Sequence, residues 1–159
     1  MNKVLMYEGP FGRMVQMLKR VSVFSCGCTC VGVPLLSAFG NDDMSFTQRV
    51  SVGFTVCCFA IGTTGALTMV SKPYVWRMYQ LANKNKSLQI ETCNLFGRIR
   101  VTTLENGLKD VIPCPEGIFV NMGTATGNNF YIHEERDCFA DQVFYNDLLN
   151  RANIKILSK

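Results

Sequence analysis

Val21–Ser71 opens with VSVFSCGCTCVGVPLLSAFGN, continues with DDMSFTQR from Asp42 to Arg49, and closes with VSVGFTVCCFAIGTTGALTMVS from Val50. Two uncharged runs flank eight residues that hold the only charges of the stretch, Asp42, Asp43 and Arg49. A hydrocarbon core about 30 Å thick is crossed by roughly 20 apolar residues at about 1.5 Å each. Each run is long enough to cross once. Lipid offers no partner to a bare backbone, so both crossings should be helices. The stretch therefore predicts a transmembrane hairpin over 21–71, with helices at about 21–39 and 50–70. The rival is a pair of buried helices in a soluble protein. Against it, neither run carries the regularly spaced charges of a soluble amphipathic helix.

Charge orients the hairpin. Residues 1–20 carry Lys3, Arg13, Lys19 and Arg20 against Glu8, and residues 72–100 carry six bases against Glu91. Both basic segments flank the hairpin on one side, and the loop between the helices is net acidic. By the positive-inside tendency, both termini face the cytoplasm or the mitochondrial matrix. Arg13, Lys19, Arg20, Lys72 and Arg77 form a basic girdle that suits anionic lipid headgroups. Tyr74, Trp76 and Tyr79 among these bases read as an interfacial anchor. No basic-aromatic repeat accompanies the charges, so no nucleic-acid partner is expected.

Residues 1–20 read as an amphipathic lead-in. Tyr7-Glu8-Gly9-Pro10 is a turn signal, and Phe11, Met14, Val15 and Leu18 follow at helical spacing. No signal peptide is visible: either a presequence is missing from this chain, or targeting is carried by the hairpin and its basic flank. Within the helices, Cys28 with Gly32 and Gly62 with Ala66 are small residues four apart, a spacing that permits close helix packing. Pro34 should bend or loosen the end of the first helix. Five of the eight cysteines lie in the spans, where they serve as small apolar residues. Cys26 and Cys30 share a helical face while Cys28 points away. No histidine or carboxylate is near in sequence, so neither a metal nor a redox site is expected.

Residues 72–159 should form a small α+β domain on the basic side. Leu88, Ile90 and Thr92 alternate with Gln89, Glu91 and Cys93. Ile99, Val101 and Thr103 alternate with Arg98, Arg100 and Thr102. With Asn94–Gly97 as the turn they predict an antiparallel hairpin. Further strands are expected at 108–112, 118–122 and 129–133, with 123–127 as a turn. Asp137 should cap a final helix over 138–151, with Phe139, Val143, Leu148 and Ala152 facing the sheet and Phe144 and Leu149 widening the stripe. Ile154–Lys159 reads as a short contact strand. The fold class is thus an α+β membrane protein: a two-helix hairpin, then a small antiparallel sheet domain with a C-terminal helix.

No catalytic constellation is visible. The single histidine, His133, stands beside Glu134 and Glu135, and there is neither a nucleophile elbow nor an H-E-x-x-H sequence. The spans lack the ionisable residues that a transport path uses. The expectation is a protein with no cofactor that acts by contact.

Tyr7-Glu8-Gly9-Pro10, Arg13, Lys19-Arg20, Ser22, the hairpin with Gly32-Val33-Pro34, and Lys72-Pro73-Tyr74-Val75-Trp76-Arg77-Met78-Tyr79 leading to the strand pair at 88–104 together resemble the family of transmembrane protein seventy. The resemblance spans about residues 7–110. It implies a two-helix protein of the mitochondrial inner membrane with both termini in the matrix. It also implies partners among the subunits of a respiratory or ATP synthase complex, and an anionic lipid such as cardiolipin. Two roles follow from it. The reading adopted is an accessory subunit of an oxidative-phosphorylation complex. The alternative is an assembly factor for ATP synthase or respiratory complex I that holds a hydrophobic subunit until its partners arrive.

Overall fold

The chain leaves a β-sheet to make its hairpin and returns to the same sheet. The computed structural model describes residues 3–39, 45–82, 86–114 and 119–154. Strand β1 (Lys3–Glu8) is followed by helices α1 (Gly12–Phe39) and α2 (Phe46–Ser71). Then come β2 (Val75–Leu81), β3 (Leu88–Cys93) and β4 (Ile99–Leu104). The four strands lie in the order β1-β2-β3-β4, all neighbours antiparallel. The hairpin is therefore an insertion between two paired strands. Whatever side of the membrane β1 occupies, β2 and the rest of the sheet occupy it too.

At 28 and 26 residues, α1 and α2 are both long and apolar enough to cross a membrane. Their outward surfaces carry Phe24, Leu36, Phe39, Phe54, Phe59 and Met69, each at least 70% exposed. A continuous apolar surface of this kind belongs in lipid, and the protein is a membrane protein. The helix continues through Pro34 to Phe39.

The helices meet along a seam of small residues. On α2 the shielded positions include Gly53, Cys57, Ala60, Thr64, Leu67 and Ser71, alternating four and three apart, with Thr68 and Arg49 also partly shielded. This is the spacing of a left-handed helix pair. A Cβ on Gly53 would lie 2.9 Å from Val33 Cγ1 and 3.1 Å from Ser37 Oγ. The Ser22 and Thr64 hydroxyls are 3.0 Å apart, and Cys57 Sγ reaches Thr29 O at 4.0 Å. Residues read from the sequence as packing positions lie elsewhere. Cys28, Gly62 and Ala66 are exposed, and neither Gly32 nor Gly62 has an atom within 4 Å of an added Cβ. Several small-residue pairs satisfy the four-residue spacing, and only the rotation of each helix decides which pair faces inward.

The sheet domain departs from expectation at its ends. Residues 3–8 of the lead-in form a strand that the sequence did not announce, and the helix expected from Phe11 starts at Gly12 and runs unbroken into the span. Lys3–Glu8 escapes the alternation test because its register shifts between Leu5 and Tyr7, burying Met6 and Tyr7 in succession. Residues 75–81 are a central strand. Beyond the β3–β4 pair, 107–110 form a 3₁₀ turn, and β5 (Val111–Ile112), β6 (Met122–Thr124) and β7 (Asn129–Phe130) make a second antiparallel sheet. Tyr131 bridges to Tyr74 and joins it to the first. The last helix, α3, is Gln142–Ala152, capped by Asp141 Oδ1, which accepts the Val143 N–H at 2.9 Å. It starts later than 138 because Phe139 bridges Tyr7 and Ala140 N–H donates to Met6 O, drawing 139–140 out along the free edge of β1. The shift turns Val143 outward, 69% exposed, and buries Phe144, Tyr145, Leu148, Leu149 and Ala152. The acids Asp42 and Asp43 of the hairpin loop and the tail 155–159 lie outside the described residues. One core joins everything on this side of the hairpin, including Tyr7, Met78, Ile90, Met122, Ile132 and Leu148.

The seam predicts that Gly53→Leu overpacks the hairpin and costs about 1–3 kcal/mol, whereas Gly62→Leu costs little. Circular-dichroism melts of the chain in detergent micelles check this. A Gly62→Leu loss equal to that of Gly53→Leu would refute the assigned seam.

Candidate functional site

Tyr7–Pro10, Lys19-Arg20 and Lys72–Tyr79, three of the segments that carry the family resemblance, converge on the joint where the hairpin leaves and re-enters the sheet. The chain turns from β1 into α1 through Glu8-Gly9-Pro10-Phe11-Gly12, against Tyr74, Val75 and Trp76. Gly9 N–H donates to Trp76 O at 2.7 Å, and Phe11 N–H donates to the Tyr74 hydroxyl at 3.0 Å. Neither glycine tolerates a side chain. A Cβ on Gly9 would sit 2.6 Å from Val75 O, and one on Gly12 would sit 1.8 Å from Trp76 Cδ1. Pro10 between them has no N–H to satisfy and suits the first turn ahead of the helix.

The aromatic and basic residues after α2 are used inside this joint. Trp76 is only 8% exposed, its ring filling the space left by Gly12. The Arg77 guanidinium lies 4.6 Å from the Trp76 ring centroid, and its Nε and NH2 donate to Glu8 Oε1 at 3.1 and 2.7 Å. That hydrogen bond holds the guanidinium above its ordinary pKa. Glu8 and Arg77 are also cross-strand partners, so the ion pair closes the last rung of the ladder before the hairpin departs. Tyr74 stacks on Tyr131, ring centroids 6.3 Å apart, and desolvation raises its phenol pKa. Val75 and Met78 are fully buried, and Tyr79 is half-buried on the outer face of the sheet. The expected interfacial anchor is thus corrected for Trp76, whose ring is buried against Gly12, and for Arg77 and Tyr74, whose polar atoms meet Glu8 and the Phe11 N–H.

Lys19 is the second correction. The sequence places it at headgroup level, yet it is only 2% exposed. Its Nζ donates to Cys93 O at 2.8 Å and to Ser71 O at 3.3 Å. One ammonium therefore ties α1 to the C-terminus of α2 and to the end of β3. A cation suits the carbonyl end of a helix, where the backbone carries partial negative charge. The β3–β4 turn is held against the same stretch of α1: Gln16 Nε2 and Arg20 NH2 donate to Gly97 O at 2.8 and 3.4 Å. Gly97 takes φ +66, which leaves its carbonyl free to face the helix. Arg13 and Lys72 are exposed.

On the opposite face of β1, the fully buried Tyr7 hydroxyl accepts His133 N–H at 2.9 Å, and burial raises its pKa. The joint is thereby fastened to the second sheet. Reasoning from sequence located these segments without their roles. The traceable signals were the Gly9/Gly12 pair around Pro10, and Glu8 as the only acid facing a basic flank. Among the described residues no group of three or more histidines, cysteines or carboxylates is placed to hold a metal ion. The joint holds one rigid relation between a membrane hairpin and a folded domain.

Residues 2–114 match the model of the TMEM70/TMEM186/TMEM223 protein family. No curated protein matches the chain. The matched range runs from the first strand through the hairpin to β5 and so contains both crossings between sheet and hairpin, while Tyr131 and His133 lie beyond it.

Two outcomes are expected. Gly12→Ala should destabilise the fold by about 1–3 kcal/mol, and Trp76→Leu in the same chain should recover part of that loss. A double-mutant cycle on thermal melts checks the coupling, and simple additivity would refute the contact. Lys19→Met should cost about 3 kcal/mol by removing the charge-assisted bonds to Cys93 O and Ser71 O from a buried place, against under about 0.5 kcal/mol for Lys72→Met at the surface. Equal losses would show that Lys19 is not the tie.

Proposed function

This chain belongs to the TMEM70/TMEM186/TMEM223 protein family, and on that premise we propose that it is a non-catalytic protein of the mitochondrial inner membrane that assists assembly of an oxidative-phosphorylation complex. The observation that carries the proposal is the extent of the match: it covers the sheet, the hairpin and the joint between them as one unit. The resemblance to transmembrane protein seventy implies an assembly role for ATP synthase or respiratory complex I.

The geometry supports action by contact. Small residues that the hairpin does not use for its own packing, Cys28, Gly32, Gly62 and Ala66, leave open space along its outer faces. A hydrophobic subunit can approach closely there through van der Waals packing. The joint would hold that surface at a set angle to the soluble domain, so that one chain presents a membrane face and an aqueous face together. The basic flanks favour the matrix for the sheet domain and an anionic lipid, such as cardiolipin, beside it. A permanent accessory subunit would use the same contacts without release.

Blue-native electrophoresis of gently solubilised mitochondria, with mass-spectrometric profiling of this chain across the gel, tests the proposal. Trace co-migration with subcomplexes is the expected result. Stoichiometric co-migration with one mature complex would make it an accessory subunit instead. Absence of the chain from mitochondria would overturn both readings. A cysteine placed at Asp43 should react with an impermeant thiol reagent from the intermembrane side, and labelling from the matrix side would invert the topology.

A further inference from the structure

A cleft of about 610 Å³ opens beside the joint, between the end of α2, the β3–β4 hairpin and the β6–β7 turn. Among the described residues three cations line it, Lys19, Lys72 and Arg100, and no aspartate or glutamate does. Among the described residues the side chains of Lys72 and Arg100 have no acceptor. Lys19 forms its base, almost wholly buried. An ammonium has three N–H donors; the two carbonyls it meets take two of them and bring no countercharge. A buried cation without an anion is costly. The cleft is thus a concave, positively charged pocket with an unspent buried donor and two free cations above it.

Its height relative to the membrane follows from its lips. One lip is Thr68 and Met69, the last turn of the uncharged run, where Met69 is 79% exposed. The other is the β3–β4 turn, whose tip carries the exposed Leu95 and Phe96. That turn is bonded to Arg20, the residue immediately before the first span. Both lips therefore stand where hydrocarbon gives way to headgroups, each presenting large apolar side chains beside the cations.

We propose that this cleft is a headgroup site for an anionic glycerophospholipid of the adjacent leaflet, its phosphodiester taken by Lys72 and Arg100 over the Lys19 ammonium and its acyl chains lying past Met69 and Leu95. The site rests on the membrane reading of the hairpin. A zwitterionic lipid fits less well, because three cations oppose its ammonium and the described lining offers it no carboxylate. Free phosphate shares the anionic chemistry but gains nothing from the apolar lips.

The test uses the full chain in nanodiscs of phosphatidylcholine containing a minor share of phosphatidylglycerol, with native mass spectrometry of the released protein. One retained phosphatidylglycerol is expected in preference to phosphatidylcholine, unaffected by millimolar inorganic phosphate. Lys72→Gln with Arg100→Gln should weaken retention about thirtyfold, at about fivefold for each cation near an anionic surface. Arg13→Gln, a basic change outside the cleft, should leave it unchanged. Equal retention by the double variant, equal retention of phosphatidylcholine, or displacement by phosphate would each overturn the site. Failure of the wild-type chain to float with the lipid would instead defeat the membrane reading, and the site with it.

Discussion

Everything in this fold depends on returning a membrane hairpin to the sheet it left. Adjacent strands stand about 4.8 Å apart, while packed helices stand about 8–10 Å apart. The chain must widen from one spacing to the other within the few residues between Glu8 and Gly12 on one side and between Ser71 and Val75 on the other. That crowding leaves no room for side chains at Gly9 and Gly12, where Val75 O and the Trp76 ring already stand. It also buries Ser71 at the end of α2, whose carbonyl Lys19 meets. The Glu8–Arg77 pair closes the ladder at the point of departure.

The joint makes the orientation of the hairpin a property of the folded domain. In many anchored proteins a polar linker separates the spans from the soluble part and leaves the angle between them free. Here α1 is continuous from the sheet surface into the span, and its first turns are bonded to the β3–β4 turn. The faces of α1 and α2 that point away from each other are therefore presented in fixed register with the sheet. A protein that guides a hydrophobic subunit gains from this, since rigidity lowers the ordering cost of each new contact. The cationic cleft lies against the same joint, so lipid and protein contacts would be read by one rigid body.

The lipid-facing surface and the seam inside the hairpin obey different rules. Outside, large apolar residues such as Phe24, Phe54 and Met69 meet hydrocarbon. Inside, the contacts are Gly53 on Val33, the Ser22–Thr64 hydroxyl pair and Cys57 on the Thr29 carbonyl. Lipid tails are as apolar as leucine, so burying large apolar groups between spans gains little, and close approach with a few hydrogen bonds decides the packing. The cysteines on this seam serve as compact packing residues.

The two spans, the antiparallel pair at 88–104 and the existence of a C-terminal helix were legible in the amino-acid sequence. Each depends on a local property: the length of an uncharged run against bilayer thickness, alternation along a strand, and helical periodicity. The pairing of residues 3–8 with 75–81 was not legible, because it joins segments about seventy positions apart and a bulge at Met6 erases the alternation. The start of α3 was not legible, because β1 claims residues 139–140 as an edge contact. Lys19, Trp76 and Arg77 have the composition of a membrane interface, and only their neighbours reveal that they are spent inside the protein. The sequence alone determined that this chain enters a membrane twice, because solvent transfer is a sum over residues. Tertiary structure alone decided how the hairpin is held and which small residues face inward, because those depend on distances between segments that no local pattern encodes.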